Sequence, residues 1–257
     1  MNFKKYIYIF AIIFVLPLIS SCNEDEKIVF TRNMIINDII TDKEVPVIDN
    51  NIVLNVFTGE EINIHGEEGK CSVQTEDTTI AHAVIYETNR QKSLVIYPHK
   101  EGKTSIVVTD VNGNYSTLHL TVKPAEQTRV NSQSGFIVQT ENKADSIKIT
   151  ETLNKWQNRE YIINFTWKSQ KSGVAAISTI NKKNIFNGTF TLFQDRTDAG
   201  LQASLVLYNP KSNFVYATYK QDLQHPNCYI KDLTNQFRSQ YPGVKKVQLL
   251  LQLNEVH

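Results

Sequence analysis

Apolar residues recur at every second position along most of this chain, and that period decides which folds are open to it. Ile52, Leu54 and Val56 alternate with other residues, as do Ile62 and Ile64, Ile106 and Val108, and Leu118, Leu120 and Val122. Further on, Tyr161, Ile163, Phe165 and Trp167 share one parity, and so do Val247, Leu249, Leu251 and Leu253. Successive side chains of a strand point to opposite faces, so each run sets one face in a core and the other in water. Short turn signals separate the runs: Thr58-Gly59-Glu60, Gly66-Glu67-Glu68-Gly69, Asn112-Gly113-Asn114 and Asn209-Pro210-Lys211-Ser212-Asn213. Turns this tight join antiparallel neighbours. The expectation is a mostly β chain. The 27 basic residues nearly balance the 26 acidic ones, so the large basic excess of a nucleic-acid binder is missing and no such partner is expected.

The first residues read as an address. Lys4 and Lys5 precede an apolar run from Tyr6 to Leu18, the pattern of a secretory signal. The run falls short of the roughly 20 residues of a membrane span. Leu18-Ile19-Ser20-Ser21-Cys22 resembles a bacterial lipobox, with small residues just before a cysteine. The resemblance implies that residues 1–21 are removed and that Cys22, acylated with palmitate-type chains, becomes the N-terminus. An ordinary signal peptide or a retained anchor helix are the alternatives. Asn23-Glu24-Asp25-Glu26 resembles the surface-export signal of Bacteroidota lipoproteins, and would equally serve as a solvated acidic tether. These resemblances imply a lipid-anchored outer-membrane protein facing the cell exterior, the periplasmic face being the alternative. Residues 22–43 read as the tether, with room for a first strand.

Residues 44–124 carry about seven short strands, which suggests a sandwich. Gly59-Glu60-Glu61-Ile62-Asn63-Ile64, Thr75 to Val84, and the hairpin from Gly102 to Gly113 are similar, in that order, to the bacterial immunoglobulin-like group 2 family. His82 and Cys71 depart from its pattern. That family implies an Ig-like sandwich without catalytic residues, acting as a spacer or contact module. Pro124 closes the last strand, because it cannot donate to a ladder and restricts Lys123. Residues 125–134 read as a linker.

Residues 135–257 read as a second antiparallel β-rich domain with one late α-helix, giving an α+β fold. Ile147, Ile149 and Leu153 read as a strand, with a turn at Gln157-Asn158-Arg159. Ile230, Leu233, Phe237 and Tyr241 are spaced as one helix face, started by Pro226 or Asn227 and stopped by Pro242-Gly243.

Little in the chain is reaction chemistry. The histidines are scattered, and no Gly-rich phosphate loop or nucleophile motif occurs. Adjacent pairs such as Glu60-Glu61 point to opposite strand faces, so they are not convergent acids. Asp195 to Gly200 lacks the spacing of a calcium loop. No catalytic, metal-binding or cofactor-binding residue is read, and no enzyme is expected. Trp156, Tyr216 and Tyr219 are the candidate ligand contacts, with Trp156 on the face opposite Ile147, Ile149 and Leu153. Trp167 reads as core. Asp77-Thr78-Thr79 and Asp145-Ser146-Ile147 are similar to the O-glycosylation acceptor of Bacteroidota, so Thr78 and Ser146 are modification candidates.

The expected function is a binding or scaffolding module on a lipid anchor, contacting a glycan or a surface protein. An enzyme or inhibitor acting on glycans or peptides, and a purely structural envelope part, are the alternatives. Replacing Cys22 with Ala should move the protein from the membrane to the soluble fraction. A Cys22→Ala protein that still sediments with membranes would remove the anchor.

Overall fold

The computed structural model describes residues 28–255 apart from 37–38, 89–90, 158–160, 198–199, 210, 212–214 and 223–227. Cys22 and Asn23 to Glu26 therefore lie outside the described residues. The chain is mostly β with antiparallel sheets, and divides into two compact units. One holds the chain up to Ile52 with Gly59–Tyr97 and Lys103–Thr121. The other holds Val122–His257 with two short earlier segments, Val53–Thr58 and Pro98–Gly102.

The first unit is built on two sheets. One runs β2 (Ile39–Pro46), β1 (Val29–Ile36), β4 (Glu60–His65), β7 (Lys92–Pro98) and β6 (Ala81–Glu87). The other runs β3 (Asn51–Asn55), β9 (Tyr115–Lys123), β8 (Gly102–Thr109) and β5 (Ser72–Thr75). The alternation in the sequence becomes two buried faces: Ile62, Ile64, Leu94 and Ile96 on the first sheet, Ile106, Val108, Leu118 and Leu120 on the second. Seven strands fall between Asn51 and Lys123. Residues 29–46 are no tether: they form the β1–β2 hairpin, and β1 pairs with β4 through Thr31 and Asn63. The β8–β9 turn is ordered by Asp110. Its carboxylate accepts from the N–H groups of Asn112, Asn114 and Glu68 and from Asn114 Nδ2. The Asn114 side chain is the largest influence holding that carboxyl below its ordinary value, and Gly113 supplies the positive φ of 82°.

The second unit contains a closed eight-stranded barrel. Its strands are β10 (Ala125–Thr140), β11 (Tyr161–Trp167), β12 (Ser172–Thr179), β13 (Asn184–Thr197), β14 (Gly200–Tyr208), β15 (Val215–Gln221), β16 (Cys228–Asp232) and β17 (Val244–Glu255). Each pairs antiparallel with the next, and β10 pairs with β17 to close the ring. Residues 125–134, read as a linker, are instead the first half of β10: Ala125 to Asn131 pair with β11, and Arg129 to Thr140 with β17. The outward positions Glu126, Thr128, Asn164, Asn187, Thr189 and Lys220 are exposed, and the inward face is apolar. That is the reverse of a membrane-spanning barrel, whose apolar face is outside.

Two helices interrupt the meander. Helix α1 (Lys143–Gln157) replaces the strand read at Ile147, Ile149 and Leu153. Asn142 Oδ1 accepts the Ala144 N–H as an N-cap, and Ile149 and Leu153, one turn apart, are fully buried while Ile147 is exposed. They close one end of the barrel against Val247, Leu249 and Leu251. The late helix is only Thr234–Arg238 (α2). Ile230 belongs to β16, and the Asp232 carboxylate accepts the Thr234 N–H where the strand gives way to the helix.

The core between the two helix-covered and open ends is aromatic. Gly173 and Gly188 allow close approach of neighbouring backbone and rings: a Cβ on Gly173 would meet the Thr166 carbonyl O at 2.0 Å and Phe190 Cε1 at 3.0 Å, and one on Gly188 the Tyr208 carbonyl O at 2.3 Å and Phe186 Cζ at 2.5 Å. Leu207, fully buried in this cluster, should cost about 2–5 kcal/mol when cut to Ala, read as the shift of a urea unfolding midpoint at unchanged slope.

Candidate functional site

Strand pleating sends alternate residues of each barrel strand inward. At the end away from α1 those residues enclose a cavity of about 520 Å³. Arg129, Phe165, Trp167, Leu192, Tyr229 and Leu253 line it, with Phe57 from the short segment Val53–Thr58 of the same unit. This volume is ordinary for a small-molecule site, as is its mix of apolar wall and a few polar groups.

Trp167 anchors an aromatic cluster in the wall. Its ring meets Phe190 at 4.6 Å between centroids and 80° between planes, and Phe57 at 5.3 Å and 71°. Phe165 meets Phe190 at 5.0 Å and 76°. These edge-to-face contacts are the favoured geometry of aromatic pairs. The indole N–H of Trp167 is buried without a hydrogen-bond partner.

Deeper in the barrel, burial is the largest influence on the titratable groups. Burial, with smaller contributions from Tyr216 and Tyr161, pushes the Tyr219 phenol up to about 12. Burial raises Tyr229 also, with Arg129 pulling the other way. Burial holds the Lys231 ammonium below its ordinary value, and that ammonium lies 5.7 Å from the centre of the Tyr219 ring.

The candidate contacts read from the sequence do not form one platform. Trp156 stands in the last turn of α1, not on a strand, and its side chain lies outside the described residues. Tyr216 is half exposed and stacks on Phe186 at 4.4 Å and 25°. Tyr219 packs inside the barrel. Trp167 belongs to the core, as its parity predicts, and also lines the cavity. Arg129 and Lys231 were missed by sequence reasoning. Arg129 fell in the supposed linker, and Lys231 in the supposed helix. Inward parity against Phe165 and Leu251 could have found them only once those strands were recognised.

The remaining candidates are scattered. Thr78 is exposed beside Asp77, whose carboxylate accepts from Thr79. Ser146 lies in the first turn of α1. Asp195 and Thr197 belong to the β13–β14 hairpin, while Asp198 and Ala199 lie outside the described residues. Cys71 and Cys228 are free thiols, and His119 faces outward.

No protein-family model matches the chain, and no curated protein sequence matches it. Among solved structures it is similar to domains 5–6 of the S-layer protein SbsC, at 8% identity and a TM-score of 0.27, over 66% of this chain and 91% of that one. A likeness so slight carries no argument.

The Tyr219 shift has a measurable sign. Its folded value lies above the ordinary 10.0 of a phenol, so its contribution to stability is complete below that pH and is lost as pH climbs through the folded value. Absorbance titration should show late-ionising phenols, and the latest step, near alkaline unfolding, should be absent in Tyr219→Phe.

Proposed function

We propose that the chain is a lipid-anchored envelope protein whose C-terminal barrel binds a small molecule with an apolar body. The lipid would sit on Cys22, the acidic run Asn23 to Glu26 would direct the protein to the cell surface, and the immunoglobulin-like unit would serve as a spacer. The single observation that carries the binding reading is the cavity of about 520 Å³ at the open end of a barrel whose other end is closed by Ile149 and Leu153. Closing one end and leaving the other unfilled gives up core packing, each missing contact forfeiting dispersion energy. A bound apolar group would restore it.

The same geometry narrows the partner class. A sugar ring prefers to lie flat on an exposed aromatic face. Here Trp167 and Phe57 meet edge to face, so a compact apolar group fits better than a glycan. The wall also holds Arg129 and Tyr229, which would orient a polar end of the same molecule.

The neutral dye Nile red tests this. The protein should enhance its fluorescence in a saturable way, and Leu205→Trp, which fills the cavity, should weaken binding by roughly tenfold or more. Equal titration curves for the two folded proteins would remove the mouth as the binding site.

A further inference from the structure

The barrel wall has a second opening, and its chemistry differs from that of the mouth. Strands β15 and β16 share only two registered pairs, Lys220 with Ile230 and Gln221 with Tyr229. Below these pairs β15 continues through Val215 to Tyr219 alongside β14 alone, while β16 continues to Asp232 beside β17. A cavity of about 650 Å³ lies where the two strands part. It is lined by Ala217 and Lys231, whose strand parity is inward, and by Thr218, Asp232 and Gln248, whose parity is outward. Residues of both faces can line one cavity only where the sheet between them is interrupted.

Lys231 is the unusual group in this opening. It pairs across β17 with the buried Leu249, and its ammonium meets the Tyr219 ring. A cation over a ring face is attracted by the quadrupole, but the ring carries no charge to neutralise it. The nearest carboxylate on its own strand is already engaged. Asp232 accepts the Thr234 N–H at 2.8 Å, and the cations that act on it are Lys220 and Lys246. Among the described residues no carboxylate pairs with this half-buried ammonium, which is costly, and an anion supplied from outside relieves that cost. Beside it, Tyr216, Ile230 and Leu233 give the opening an apolar side.

We infer that this side opening is an anion site, in which Lys231 takes the carboxylate of an acidic amphiphile whose chain lies against Tyr216, Ile230 and Leu233. The site is separate from the mouth cavity and does not require it to be occupied.

Decanoate, decanol and acetate are the probes, titrated calorimetrically into the folded protein at neutral pH. Decanoate should bind, and acetate and decanol should each bind at least roughly tenfold more weakly. Lys231→Met keeps the aliphatic stem and should lose that decanoate preference over decanol, while Lys231→Arg should restore it. Melting curves confirm that both variants are folded. Failure of decanoate to bind the unaltered protein overturns the inference, as does decanoate binding that Lys231→Met leaves unchanged. Acetate binding as tightly as decanoate overturns the amphiphile. Leu205→Trp separates the two sites: it should weaken Nile red binding by roughly tenfold or more and spare decanoate.

Discussion

The pairing of β10 with β17 is the interaction on which the second unit depends. Eleven registered pairs run from Arg129 with Glu255 to Thr140 with Val244, broken by irregularities near Gly135 and near Thr140. Those breaks let one sixteen-residue strand bend far enough to serve β11 with its first half and β17 with its second. Closure removes the free edges that an open sheet would expose. It also encloses the interior, and burial there raises the Tyr219 and Tyr229 phenols and lowers the Lys231 ammonium from their ordinary values.

Within the ring, packing is uneven. Phe186 and Phe190 lie against glycines that have no side chain to obstruct them, and they fill the middle together with Leu205 and Leu207. Helix α1 seals one end with two leucine-sized side chains. The other end is left to Trp167, Phe57 and a space. The space left at that end carries the polar Arg129 and Tyr229 in a largely apolar wall.

The period-two alternation made most of the fold legible. Ile62 with Ile64, and Leu118 with Leu120, were identifiable as buried faces of two sheets without any structure, and Leu249, Leu251 and Leu253 likewise. Where a second period fitted the same residues, reading failed. Ile149 and Leu153 share a parity and are also one helical turn apart, and the cap at Asn142 together with the open barrel end decided for the helix. Ile230 and Leu233 suited a helix by spacing, yet Ile230 pairs with Lys220 and Leu250 in the sheet. The polar stretch Glu126 to Ser134 looked like a linker because a barrel strand with water outside and a partly polar rim inside carries few apolar residues. The candidate site was hidden for a related reason: its residues come from β10, β11, β13, β16 and β17, and only closure of the ring brings them together.

The short seam between β15 and β16 has a dynamic consequence. Elsewhere in the barrel neighbouring strands share longer ladders, but here, among the described residues, two registered pairs and the bond from the Asp222 N–H to the Cys228 carbonyl carry the backbone pairing. Local opening starts where the fewest backbone bonds must break. The amides of Val215 to Tyr219 that point toward β16 are therefore the ones that should trade their hydrogens with solvent soonest. A ladder this short leaves the wall weaker along this line than at the β10–β17 closure.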